Sequence, residues 1–212
     1  MNPLADCRLY TFVDTAFLHG REAQDVARQL CDGGSDLIQL RAKHTPLAEV
    51  RRLAEAILPV TRAARVQLVV NDHLEIARQL GAEFCHLGQE DFFYAGHQQV
   101  AEIRKNASKI GIGLSTHAPA QAQRALAAGA DYIAIGPVYP TGTKPAAKPV
   151  TLEYVRWAAT NIAIPWFAIG GINLQTVDEV VAAGARRICV VSAILNAPDI
   201  ARACLEFRKR LA

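Results

Sequence analysis

Eight times over, a short apolar run rich in β-branched residues is followed by a longer stretch with apolar residues at helical spacing. This alternation restricts the chain more than any other feature. The runs predict strands at 9–14, 37–41, 67–72, 84–88, 109–115, 132–138, 166–171 and 188–193. Their centres (LIQL, QLVV, IGIGL, YIAIG, WFAIG, ICVVS) lack clean polar alternation, as strands buried on both faces do. The intervening stretches predict helices at 21–31, 47–61, 74–80, 98–106, 119–128, 152–159, 174–183 and 200–211. Eight strand–helix units in 212 residues predict an α/β chain folded as a (β/α)8 TIM barrel, one compact domain over residues 1–212. A doubly wound open sheet is the rival, since periodicity does not report strand order.

Local signals agree with this layout. Thr45 before Pro46, Thr151 before Leu152, and Asn173 and Asp199 are placed to start helices. Gly33, Gly81, Gly129 and Gly184 follow predicted helices and are expected in the left-handed conformation that reverses the chain. The irregular segment 137–150 is rich in Pro, Gly and Thr, and loops of that length in a compact domain are usually functional.

In a barrel, chemistry gathers at the C-terminal strand ends. The second strand ends in Gln39, Arg41 and Lys43, whose alternation points three polar groups the same way. Arg grips phosphate bidentately and Lys acts as a point charge. The third run closes with Asn71 and Asp72, and the fourth leads to Asp91. Two carboxylates and an amide at one edge make a hard-oxygen site suited to Mg²⁺ bridging a phosphate-bearing substrate. One such Asp alone reads equally as a helix cap. Ser115 ends the fifth strand, either to bind a ligand or to cap a helix. His86 and His117 lack a carboxylate partner in sequence and are assigned structural roles. Thr141, Gly142, Thr143 and Lys144 form a phosphate-cradle loop without the Walker spacing. Gly170 and Gly171 after the seventh strand, with Val191 and Ser192 after the eighth, match the phosphate site many barrels place there. Two anion sites follow: a Mg²⁺-diphosphate beside strands two to four and a monophosphate beside strands seven and eight.

Composition excludes other classes. Net charge is +3, and Arg208-Lys209-Arg210 ends a helix, where cations oppose the dipole, so no nucleic-acid partner is expected. Five scattered cysteines without a CxxC pair predict core fillers in a reducing, cytoplasmic compartment. No apolar run approaches a membrane span, and residues 1–8 carry no secretory h-region. Small-molecule substrates are the expected partners; homo-oligomerisation is left open.

The segments LYTFVD, LIQLRAK, VVNDHLEIA, FCHLGQEDF, IGIGLSTH, ADYIAIGPVYPTGTK, AIGGI and VVSAI, in order from Leu9 to Ile194, resemble the thiamine-phosphate synthase (thiamine-phosphate pyrophosphorylase) family. The resemblance implies a barrel enzyme that joins 4-amino-5-hydroxymethyl-2-methylpyrimidine diphosphate to 4-methyl-5-(2-phosphoethyl)thiazole, taken in its carboxylated form. It implies that Gln39, Arg41, Lys43, Asn71, Ser115 and Lys144 bind the pyrimidine diphosphate, with Arg41, Lys43 and Lys144 also catalytic. It implies that Asp72 and Asp91 hold Mg²⁺, and that Thr141, Gly142, Thr143, Gly171, Val191 and Ser192 bind the thiazole phosphate. Tyr10-Thr-Phe-Val-Asp14 departs from the family's usual YLVTD. The competing readings are a thiazole tautomerase, which needs no diphosphate grip, and a non-catalytic phosphate-ligand sensor.

Overall fold

The computed structural model describes residues 3–104, 109–142 and 148–211. Eight parallel strands close into one barrel: β1 (Leu9–Asp14), β2 (Leu37–Arg41), β3 (Gln67–Asn71), β4 (Phe84–Leu87), β5 (Gly111–Thr116), β6 (Tyr132–Ile135), β7 (Trp166–Ile169) and β8 (Ile188–Cys189). Each strand pairs with the next, and β8 returns to β1 through Leu9↔Ile188 and Tyr10↔Cys189. That last pairing excludes the open sheet. No helix among the described residues is long and apolar enough to cross a membrane.

The helices are α1 (Ala23–Asp32), α2 (Leu47–Ala64), α3 (Leu74–Leu80), α4 (Val100–Ile103), α5 (Pro119–Ala127), α6 (Thr151–Asn161), α7 (Val177–Ala182), α8 (Ser192–Leu195) and α9 (Ile200–Arg210). Their apolar stripes cover the outer face of the barrel, with Val26, Leu30, Leu53, Ile57, Val155 and Phe207 buried. Arg208, Lys209 and Arg210 fill the last turn of α9, so the basic cluster does terminate a helix, and Arg208 pairs with Asp36 at 2.5 Å.

Boundaries differ from the sequence expectation where backbone geometry intervenes. The eighth strand stops at Cys189, because Ser192 already opens the short helix α8, which the periodicity does not reveal. The helix expected from residue 174 begins at Val177. Asn173 Oδ1 first accepts from the amides of Gln175 and Thr176, a turn that competes with the helix. The helix expected at 98–106 is described only over Val100–Ile103; residues 105 and 106 lie outside the described residues. Asp199 caps α9 by accepting from Arg202 N at 2.9 Å. Gly81, Gly129 and Gly184 do take the left-handed conformation, but Gly33 does not; its neighbour Gly34, at φ +80°, makes that turn. Gly33 is small for a different reason: a Cβ there would meet Cβ of Cys204 at 2.5 Å, where α9 lies on α1.

Register decides which strand residues face the barrel interior. The pairs Phe12↔Gln39, Asp14↔Arg41, Asn71↔His86, His86↔Gly113, Gly113↔Tyr132 and Ser115↔Ala134 set one parity around the ring. Paired positions share a face, so these residues line the inside. The lower interior is aromatic. Tyr10, Phe84 and Phe167 all pack edge-on to Tyr132 at centroid distances of 5.6–6.1 Å. The glycines of β5 make room for these rings. A Cβ on Gly113 would stand 2.0 Å from Cζ of Tyr132, and one on Gly111 would stand 2.2 Å from Cε1 of Phe84. Gly113→Ala is therefore expected to lower unfolding free energy by about 1–3 kcal/mol, the usual range for overpacking a core. Urea titration measures it; an unchanged midpoint would mean that the Tyr132 ring has somewhere else to go.

Candidate active site

A cavity opens at the C-terminal mouth of the barrel, lined by Gln39, Arg41, Asn71, His86, Ser115, Thr141, Gly171, Val191 and Ser192 among others. Tyr10, Phe12, Pro137, Ile169 and Ile172 supply its apolar wall. Many of the sequence-selected residues thus meet in one place. Lys43, Asp72 and Asp91 stand to one side of this lining. Gly142 is exposed beyond it. Thr143 and Lys144 lie outside the described residues.

Arg41 is the last residue of β2, directly across the ladder from Asp14. Its Nη1 donates to Asp14 Oδ2 at 2.7 Å, and Asp14 is only 1% exposed. The guanidinium is therefore held at a fixed point on the rim, with donors left over for a ligand. Asp14 cannot be singled out from the sequence, because nothing in a strand-terminal Asp reveals which neighbour it faces.

Asp72 lies one residue past β3, with φ +63°. A non-glycine residue in that region is uncommon and is typical of functional sites. The Lys43 ammonium pairs with its carboxylate. Asp91 stands past the end of β4, in a π-helical turn, Glu90–Tyr94, that begins three residues after the strand ends. Its Oδ2 accepts from Gly88 N at 3.3 Å, and its carboxylate faces that of Asp72. Burial, and then the neighbouring Asp91 charge, push the Asp72 pKa above the ordinary carboxylate value; Lys43 opposes them without cancelling the rise.

A raised folded pKa means that the folded protein prefers protonated Asp72, so ionisation detracts from stability as pH rises towards that pKa and beyond. In metal-free protein, Asp72→Asn is expected to raise the thermal midpoint at pH 7.5. The gain should shrink as pH falls towards the ordinary carboxylate range. A lower midpoint at pH 7.5 would show that the Lys43 pair outweighs burial.

Among the described residues no group of three or more His, Cys, Asp or Glu side chains is placed to hold a metal. Mg²⁺ is usually bound by one or two carboxylates, with water and substrate phosphates completing its octahedron. The donor set of Asp72 and Asp91 fits that ion.

On the far side, Gly170 and Gly171 have φ +101° and +67°. A Cβ on either would strike the segment after β6: Pro137 Cβ at 2.3 Å and Pro140 O at 2.6 Å. Val138 N and Tyr139 N bond Ile169 O and Gly170 O at 2.8 and 3.0 Å. The glycine pair therefore serves both a tight backbone crossing and the cavity wall. Val191 and Ser192 adjoin it, and the first amides of α8 have no partner within the helix.

His86 Nδ1 meets Tyr132 Oη at 3.1 Å and Nε2 meets Ser115 Oγ at 2.9 Å. His117 Nδ1 meets the carbonyl of Gly136 at 2.5 Å. Gln89, buried and unremarked in sequence, donates to the Ser115 carbonyl at 2.6 Å. The cysteines are all unpaired, and burial pushes Cys7 and Cys204 up to about 12 and Cys31 up to about 11, away from thiolate chemistry.

Comparison with known proteins gives a consistent result. The family described as thiamine monophosphate synthase matches residues 9–194. A thiamine-phosphate synthase of Lawsonia intracellularis is 40% identical over 208 residues, covering 97% of this chain and 93% of that one. A thiamine-phosphate synthase of Thermus thermophilus is 46% identical over 180 residues, covering 84% of each. The solved thiamine phosphate pyrophosphorylase from Pyrococcus furiosus superposes with a TM-score of 0.86 at 29% identity, covering 99% of this chain and 98% of that one.

Proposed function

We infer the reaction from one premise: the chain belongs to the thiamine monophosphate synthase family, as the match over residues 9–194 shows. It is a transferase that forms thiamine phosphate. Its substrates on this reading are 4-amino-5-hydroxymethyl-2-methylpyrimidine diphosphate and carboxylated 4-methyl-5-(2-phosphoethyl)thiazole. The observation that carries the reading is one barrel mouth bearing Arg41, Asn71 and Ser115 on one side and Gly171, Val191 and Ser192 on the other. Two anion-binding halves face each other across an apolar gap.

The bond between the pyrimidine methylene and the diphosphate breaks, and its electron pair leaves with the diphosphate. The ring's amino group stabilises the positive carbon left behind. Arg41, Lys43 and Lys144 neutralise the charge growing on the leaving group. Asp72 and Asp91 would hold Mg²⁺, which when bound supplies further positive charge beside the diphosphate. Asn71 and Ser115 orient the diphosphate. Thr141, Gly142 and Thr143, with Gly171, Val191 and Ser192, grip the thiazole phosphate so that the thiazole nitrogen approaches the carbon in line. That nitrogen attacks with its own lone pair, so no general base is required. The carboxyl group of the thiazole then leaves as CO₂, and the ring carbon that held it takes up a proton to give thiamine phosphate. Phe12, Ile169 and Ile172 keep water from capturing the cation. Five unpaired thiols suit a cytoplasmic setting.

The test is thiamine phosphate formation from the two substrates, with and without Mg²⁺. Product only with Mg²⁺ is expected. Product without added metal, in the presence of chelator, would remove Asp72 and Asp91 from a metal role. No product from folded protein under either condition would sink the reaction itself.

A further inference from the structure

A continuous chain of hydrogen bonds crosses the barrel interior and joins residues of five strands. Gln39 Nε2 (β2) donates to Tyr10 Oη (β1) at 2.5 Å. Tyr10 Oη meets Tyr132 Oη (β6) at 3.0 Å. Tyr132 Oη meets His86 Nδ1 (β4) at 3.1 Å, and His86 Nε2 meets Ser115 Oγ (β5) at 2.9 Å. Tyr10, Gln39, His86 and Tyr132 are all buried. Both ends, Gln39 and Ser115, line the cavity; the two tyrosine hydroxyls do not need to touch a ligand to affect it.

We propose that this chain is a polarised relay that holds His86 as its neutral Nε2–H tautomer and so presents the Ser115 hydroxyl to the cavity as a donor. Tyr10, Tyr132 and His86 are then positioning residues. The proposal rests on the reading of Ser115 as a diphosphate contact.

The direction follows from counting protons. An amide NH₂ only donates, so Tyr10 Oη accepts from Gln39 and turns its own proton to Tyr132. Tyr132 Oη has then accepted, and its proton goes to His86 Nδ1. An imidazole accepting at Nδ1 carries its proton on Nε2, which donates to Ser115 Oγ. The serine proton is left to point into the cavity. A doubly protonated His86 would drive the chain the other way, and the Tyr10 proton would then meet the Gln39 N–H. The direction has chemical value, because diphosphate oxygens offer only acceptors. A donor at Ser115 attracts them, whereas a serine oxygen with its proton turned to His86 repels them. Hydrogen bonds in series polarise one another in a low-dielectric interior, so one amide can set the far end.

The test uses the full chain labelled with ¹⁵N, without ligands, and reads the His86 ring nitrogens by NMR at pH 7.5. The wild type is expected to show a single neutral Nε2–H tautomer. Tyr10→Phe keeps the ring and removes a hydroxyl that makes no bond to His86. It is expected to give a mixture of both tautomers and to weaken binding of inorganic diphosphate with Mg²⁺ by about tenfold. Tyr132→Phe is the second variant, expected to do the same should the first fail to fold. An Nδ1–H tautomer or an imidazolium in the wild type would overturn the relay, as would an unchanged tautomer in a folded variant. Mixed tautomers with unchanged diphosphate binding would overturn the donor role of Ser115. Because the tautomer is read without substrate, it stands or falls separately from thiamine phosphate formation.

Discussion

Arg41→Ala is expected to lower both activity and stability, and the two losses have separable causes. On the proposed reading, the lost activity is that of a charge-assisted contact to the diphosphate, about 1.5–3 kcal/mol, or roughly a tenfold to hundredfold fall in kcat/KM. The lost stability comes from Asp14. That carboxylate is 1% exposed and 2.7 Å from Arg41 Nη1; stripped of Arg41, it keeps the Ala16 N–H as a donor but becomes a buried charge without its countercharge. Breaking such a pair destabilises by about 3–5 kcal/mol. The double variant Asp14→Asn/Arg41→Ala removes the stranded charge. It should recover much of the stability and none of the activity. Recovery of both would mean that Arg41 only supports the fold; near wild-type kcat/KM in Arg41→Ala would remove it from the site altogether.

Chelation is expected to abolish thiamine phosphate formation, with added Mg²⁺ restoring it. Asp91→Asn should raise the Mg²⁺ concentration for half-maximal activity by about tenfold or more. Groups that merely support metal ligands already alter affinity by about 10–100-fold. Asp91 is exposed and its carboxylate accepts from Gly88 N at 3.3 Å, so its loss should leave stability almost untouched. That contrast with Asp14 separates a ligand-facing carboxylate from a structural one. A superimposable Mg²⁺ titration for Asp91→Asn would show that Asp72 holds the ion without it.

Much of the lining of the candidate site was legible because barrels place function at the C-terminal strand ends, and polar residues stand out there against apolar runs. Arg41, Asn71 and Ser115 declare themselves this way. Asp14 and Gln89 do not: their partners, Arg41 and the Ser115 carbonyl, are far away in sequence. Tyr10 and Tyr132 read as core aromatics, and by packing they are; only the register Gly113↔Tyr132 and Tyr10↔Cys189 brings their hydroxyls together. His86 was assigned a structural role because no carboxylate was in sight, yet it holds a cavity serine through hydroxyl partners that periodicity cannot show.

The sequence by itself determined the number and order of the strand–helix units, the buried character of the strands and the inventory of charged residues at their ends. These depend on local composition and on periods of 2 and 3.6 residues, which a linear chain carries in full. Closure of β8 on β1, the inward parity of each strand, the Arg41–Asp14 pair and the hydrogen-bond chain across the interior were decided only by tertiary structure. Each depends on how one strand is offset against the next. A one-residue slip would turn every side chain of that strand to the opposite face, and no residue records that offset alone.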